Sequence, residues 1–338
     1  SEELMLVRKK DELDFLKYSE AEMEVCKKML PSACELDEFW KHSSAIDQVE
    51  MRVVGERDFS KVAWNICRVG MHSAEFNKSP GRSLGAVAGF TNALGFRILG
   101  LISLNSDSCK LKTRDEHIGW NTVQRERNRE CVVNLNVCCP SQPFGYNYLG
   151  GKFISLFVRH LIPVWEDKYK TKIVAIVSSS LHDGLGQYDG MYYWKKLGSS
   201  SGRMLIKPLR QEWQFWRTWY RQNYRQLYEK SISQTSPVQS SLATIFKILG
   251  INARQYFHNH QRKIYLMPLY SNYKEFLTDL ITPAELKSTG EDWYAWWREK
   301  SMIRKEKLES NGNLQQERLF YSSITDLELG SWLDVRGV

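Results

Sequence analysis

Apolar positions recur along this chain with two different periods, and the changes from one to the other mark its elements. Over residues 1–60, charged residues interleave with Leu, Phe and Met at helical spacing in EELMLVRKKDELDFLKY and EAEMEVCKKML. That spacing predicts a helical N-terminal extension of two or three helices. FSKVAWNICRVGMHSAEFNKSPGR then leads to a helix end and a loop at Pro80 and Gly81. LGAVAGFTN and FRILGLISLNS are rich in strand formers and are joined by Ala93-Leu94-Gly95, which predicts a hairpin. With CVVNLNVCC they make a three-stranded antiparallel meander.

After Pro143 and Gly145 break the chain, LGGKFISLFVRHLIPVWEDKY places Leu149, Phe153, Leu156, Phe157, Leu161 and Val164 near i, i+3, i+4, i+7 spacing. This predicts an amphipathic helix opening at Gly150-Gly151. KIVAIVSSS has the unbroken β-branched character of a strand buried on both faces, parallel to CVVNLNVCC because a helix joins them. GQYDGMYYWKKLG reads as a loop and a short helix. Past Pro208, RQEWQFWRTWYRQNYRQLYEKS is a helix dense in Arg, Trp and Tyr, followed by a Ser- and Thr-rich linker at 231–241 and by SLATIFKILGINARQYFHNHQRK. KIYLMPLY is a further strand, and DWYAWWREKSMIRKEKLE a helix before an irregular end that includes SSITDLELGSWLDV.

The expected class is therefore α/β, of the α+β kind: a mixed sheet with an antiparallel meander and a central βαβ unit. Residues 61–208 form its core, 209–262 a helical basic and aromatic insertion, 263–282 a closing strand and helix, and 283–338 a helical to irregular tail.

Composition adds a partner class. The 338 residues carry a net charge of +8 with 12 Trp and 16 Tyr. Positive charge favours a polyanion and exposed rings stack on bases, although the same rings serve equally well to fill a core. The seven cysteines are odd in number and contain no CxxC, which suits reduced thiols better than a disulfide framework or a zinc site. No apolar run is long enough for a membrane span, and the charged start does not read as a signal peptide. A cytoplasmic protein with no membrane partner is the expectation.

The candidate chemistry sits at four places. Gly150 and Gly151, with Lys152, open a helix between two strands; free backbone N–H groups there can approach a phosphate, and the same glycines also suit a tight strand-to-helix turn. Tyr188 and Asp189 follow KIVAIVSSS at the carboxyl end of a strand, where open α/β sheets place sites. They are the candidate acid, base or orienting pair, against an ordinary Asp-Gly turn with a half-buried Tyr. His182 and Asp183 stand second for these roles. Asp115 orients a base or a backbone amide, or caps a loop, with Trp120 lining a pocket or pinning that loop. Arg125 meets phosphate or lies on a solvated charged turn. In the insertion, Arg210, Arg217, Arg221 and Arg225 recur among Trp216 and Trp219, pairing phosphate contact with base stacking; the competing reading buries the Trp face and wets the Arg face. His258-Asn259-His260 spells a nuclease name by coincidence, and no motif identifies a metal site.

In residues 85–208 and 263–270 the chain resembles the DruA proteins of Druantia anti-phage systems. RDEHIGW is similar to that family's RD-x-x-IGW, GQYDGMYYWKKLG to its Gln-Tyr-(Asn/Asp) and W-x-x-LG stretch, and KIYLMPLY to its VFVYPL strand. GYNYLGGKFIS departs from the family's Asn-Leu-x-Ser helix start. The element order is also similar to that of GNAT acyltransferases and of the phage Mom proteins that modify adenine in DNA. The resemblance implies a GNAT-like domain of phage defence or counter-defence in a bacterial host cell. It would bind DNA, single-stranded or with a flipped base, and work beside other defence-system proteins. As an enzyme it would take acetyl-CoA or a related acyl donor at Gly150, Gly151 and Lys152 and modify a base presented by the Arg/Trp helix. As a recognition subunit it would bind DNA without reaction. A metal-dependent nuclease is the third reading.

Overall fold

The computed structural model describes residues 18–55, 59–71, 81–107, 111–180, 186–200, 203–234, 236–259, 261–290 and 292–320. EELMLVRKKDELDFLK, Pro80, His182, Asp183, His260 and SSITDLELGSWLDV lie outside the described residues. Helices α1 (Glu20–Lys28) and α2 (Ala33–Trp40) each open with a reciprocal capping box, Ser19 with Glu22 and Ser32 with Glu35. Strand β1 (Glu50–Val53) follows, inside the stretch expected to be helical throughout. Helix α3 (Lys61–Met71) precedes the hairpin of β2 (Ser83–Asn92) and β3 (Gly95–Ser106), whose turn ends on Gly95 at a φ of 101°. Short helices α4 (Lys112–Ile118) and α5 (Thr122–Asn128) then lead into β4 (Val132–Pro140).

The helix expected between the two parallel strands is divided. After the short α6 (Phe144–Asn147), α7 (Gly150–Phe157) tightens into a 3-10 turn at Val158–Leu161 and restarts as α8 (Ile162–Tyr169). Pro163 is the cause: inside a continuous helix its ring would clash with the carbonyl four residues back, whereas in a first turn it is tolerated. Strand β5 (Ala175–Ser179) follows. GQYDGMYYWKKLG does not end in a helix: Gln187–Gly190 is a turn and Lys195–Ser199 is strand β6. Gly190 and Gly198, at φ of 70° and 145°, hold backbone that a helix excludes.

Beyond β7 (Arg203–Leu205) come α9 (Arg210–Asn223), α10 (Arg225–Ile232) and α11 (Pro237–Ile248), then β8 (Phe257–Asn259), β9 (Lys263–Pro268), α12 (Tyr273–Leu277) and α13 (Trp293–Ser310). The stretch expected to be a linker at 231–241 is mostly helical, because Pro237 opens α11 and Leu242 and Ile245 give it a buried face.

Seven strands form one mixed sheet in the order β1-β2-β3-β4-β5-β9-β6. The meander β1-β2-β3-β4 is antiparallel, β4 and β5 are parallel, and β9 returns antiparallel to β5. Side chains alternate across it. Val133, Leu135, Ile176, Tyr265 and Met267 face the large core beneath α7, α8 and α2. Val132, Val177, Ile264 and Leu266 face a separate cluster with Ile118, Trp120 and Tyr273. Val87, Leu101 and Val137 face a third, under α1 and α3. The chain divides into two compact units: the larger holds this sheet, and the smaller is formed around residues 199–263. In the smaller unit α9, α10 and α11 close on Tyr220, Tyr228 and Ile245. There the Gln239 amide pairs with the Leu205 backbone in both directions, at 2.7 and 3.0 Å.

One polar hub ties α2 to the hairpin. Glu35 accepts from Arg97 at 2.5 Å, the Ser32 amide at 2.8 Å, Asn92 at 3.0 Å and Arg318 at 3.0 Å. Burial alone would raise its pKa, but the bonds from Arg97, Ser32 and Asn92 outweigh burial and hold it at about 2. A carboxyl depressed below its unfolded value of 4.5 adds stability that is present above that value and lost as pH falls towards about 2. Glu35 is thus expected to contribute about 3 kcal/mol at neutral pH. Glu35→Gln should destabilise the protein at pH 7 and remove this part of the acid dependence, read from urea midpoints between pH 2 and 6.

Candidate functional site

Parallel pairing between β4 and β5 lasts three residues, Val132 to Asn134 against Ala175 to Val177, and then the strands part. β4 runs on to Pro140, so its carbonyls facing the gap need partners that no strand supplies. Side chains supply them. The Ser178 hydroxyl donates to the Leu135 carbonyl at 3.1 Å and shares a 2.8 Å hydrogen bond with the Tyr188 hydroxyl. The Gln187 amide donates to the Cys138 carbonyl at 3.0 Å. Tyr188, only 5% exposed, lies against the rings of Trp194 and Tyr265, with centroids 4.6 and 5.1 Å away. Burial, reinforced by the Cys138 thiol, raises its pKa well above the ordinary tyrosine value. A group that holds its proton so firmly is poorly matched to acid catalysis near neutral pH.

Gly150 and Gly151 open α7 beside this gap, after Leu149 in the left-handed region at a φ of 53°. Both glycines are buried. A Cβ on Gly150 would stand 2.5 Å from the Phe144 ring, and one on Gly151 would stand 2.6 Å from the Gln187 amide oxygen. Their lack of a side chain is thus used by the protein's own residues. The Lys152 ammonium donates to the carbonyls of Gln187, at 3.3 Å, and Asp189. Burial lowers its pKa, and the Asp189 charge partly opposes that.

Tyr188 and Asp189 are adjacent in sequence but bond to different partners. The Asp189 carboxylate accepts from the Tyr265 hydroxyl at 2.9 Å and from the Gly186 amide at 2.8 Å. Sequence reading missed Tyr265. Its signal was the one hydroxyl on the inward-facing alternation of KIYLMPLY, where Met267 and Leu269 share its core cluster.

Asp115 is the centre of an ion-pair network. One of its oxygens accepts from Arg114 at 2.6 and 2.9 Å and from Trp120 at 3.0 Å, and the other stands 3.5 Å from Arg125. Arg114, fully buried, also pairs with Asp107, whose pKa burial pushes up to about 6 against the pull of Arg114. One expectation is corrected here. Arg125 is buried, bonded to Glu126 at 2.9 Å, and does not lie on a solvated turn. Trp120 is a buried donor within the network.

The smaller unit presents a different chemistry. Residues 199–263 contain eleven Lys and Arg against two Asp and Glu, a net +9, while the whole chain carries +8. Arg210 is the first residue of α9. Arg217, Arg221 and Arg225 are exposed; Arg217 donates to the Tyr228 hydroxyl at 3.2 Å and Arg225 pairs with Glu229 at 3.0 Å. Trp216 and Trp219 are half-buried against Tyr220, Tyr228 and Ile245. Phe215 and Tyr224, which sequence reading passed over, are exposed.

Among the described residues, no group of three or more His, Cys, Asp or Glu is placed to hold a metal ion, and no helix is long and apolar enough to cross a membrane. The family model of Druantia protein DruA matches residues 8–279. It takes in α1 and α2, which lie outside the residues that carry the motif resemblance. No curated protein and no solved structure matches the chain.

A loop carboxylate facing solvent could be removed at little cost, but Asp189 accepts from a buried tyrosine and a backbone amide. Asp189→Ala is expected to cost about 1–3 kcal/mol and lower the Tm by several degrees. In a Tyr265→Phe background the same change should cost less, and thermal melts of the double-mutant cycle should give a coupling of about 0.5 kcal/mol or more.

Proposed function

The chain belongs to the Druantia protein DruA family and is a component of an anti-phage defence system; from that premise we propose that it binds DNA through the unit formed around residues 199–263. The observation that carries this reading is the segregation of charge. One segment accounts for the entire positive excess of the chain, and the rest is close to neutral. Charge so concentrated creates a local field that attracts a polyanion and raises its encounter rate. Arg217, Arg221 and Arg225 stand exposed on that segment, and guanidinium groups bind phosphate oxygens in pairs.

A second reading, a GNAT-type transferase of DNA bases, is favoured by the strand order and by the parting of β4 and β5 at the start of α7. An acyl donor does not fit that gap as packed. Gln187 and Tyr188 fill it, and Phe144 and Gln187 take up the faces of the two glycines. No reaction step is assigned to Tyr188, Asp189, Asp115 or Lys152.

Affinity for DNA should fall steeply as salt rises, since each neutralised phosphate releases counterions. Arg217→Ala and Arg221→Ala should each weaken binding and reduce the slope of log Kd against log salt by about one, measured by fluorescence anisotropy. Binding that is absent, or indifferent to salt and to both substitutions, would remove this reading.

A further inference from the structure

We propose that the row of rings along α9 and at Tyr224, where α9 gives way to α10, stacks on unpaired bases, so that the DNA taken by residues 199–263 is single-stranded. This rests on the DNA-binding reading and adds the form of the ligand. Four rings follow one another: Phe215 to Trp216 at 5.3 Å between centroids, Trp216 to Trp219 at 5.6 Å, and Trp219 to Tyr224 at 5.3 Å. The first two pairs are edge-to-face, at 80° and 84°. In such a pair the ring that offers its edge keeps both faces free of that partner. The ends of the row are the most open, Phe215 at 63% and Tyr224 at 37% exposed. Between them Trp216 and Trp219 rest on Tyr220, Tyr228 and Ile245, so they are held in place before any ligand arrives and lose little further rotamer freedom on binding.

The surroundings select the partner. Eight of the fifteen exposed large apolar side chains among the described residues fall within 199–263, so this unit joins the highest positive charge to the least covered apolar surface. Charge alone would suit the phosphates of a duplex. In a duplex, however, base faces are already stacked on their neighbours and the rings gain nothing from them. A single strand offers phosphate and open base faces together, which matches Arg217, Arg221 and Arg225 set among the rings.

The test uses the full chain with a fluorescent oligothymidylate and a duplex of equal length at one fixed salt concentration, read by anisotropy. The single strand should bind at least about tenfold more tightly. Phe215→Ala and Tyr224→Ala, at exposed positions, should each weaken single-strand binding at least about fivefold, the loss of one base–ring stack, and leave duplex affinity within about twofold. Equal or tighter binding of the duplex, or equal losses on both ligands, would overturn the single-strand proposal and leave DNA binding standing. Failure to bind either ligand would overturn both readings and turn the ring row over to another partner.

Discussion

The parting of β4 from β5 is the constraint around which the larger unit is organised. Two parallel strands that separate after three paired residues expose backbone carbonyls inside the protein, and a buried polar group without a partner costs about 1–3 kcal/mol. Ser178 and Gln187 meet the carbonyls of Leu135 and Cys138. To bring Gln187 there, the chain after β5 must turn at Gln187–Gly190, and that turn is held by Lys152 on its carbonyls and by Tyr265 on Asp189. Gly151 has no side chain because Gln187 needs the space. The residues that look most like a catalytic set are therefore the ones that close the sheet.

A sheet end so closed shifts attention to the smaller unit. Among the described residues its buried apolar side chains are Leu205, Tyr220, Tyr228, Leu242 and Ile245, with Trp213, Trp216, Trp219 and Ile248 packed against Tyr220, Tyr228 and Ile245, yet its surface holds the chain's excess charge and most of the exposed rings described. Burying those rings would have stabilised the unit. Leaving Phe215 and Tyr224 in water forgoes that stabilisation, which is intelligible if a ligand covers them.

Much of the fold was legible because burial leaves a period in the sequence. The meander, the parallel strand KIVAIVSSS and the closing strand KIYLMPLY all follow from alternation or from unbroken β-branched runs. Where local pattern misled, a specific residue decided otherwise. Pro163 divided the long helix, Gly190 and Gly198 turned an apparent helix into a strand, and Pro237 opened a helix inside an apparent linker. The candidate site was less legible, because titratable residues carry no mark of what they will meet. Asp115 and Arg125, ten residues apart in a charged stretch, meet each other, and Asp115 also pairs with Arg114. Tyr188 and Asp189, adjacent in the chain, bond apart. The Arg and Trp spacing of α9 and the basic character of 209–262 were visible; the boundaries of the smaller unit add Arg203, Lys207 and Lys263, which brings the whole positive excess of the chain into one segment.

Photocrosslinking of the full chain to bromodeoxyuridine-substituted single-stranded DNA, with the linked peptides identified by mass spectrometry, tests the account most directly. It predicts that the crosslinks concentrate in peptides from 210–232, with Phe215, Trp216, Trp219 or Tyr224 at the linked positions. Crosslinks confined to the turn at Gln187–Gly190 and the start of α7 would contradict it, and would place the DNA at the sheet end instead.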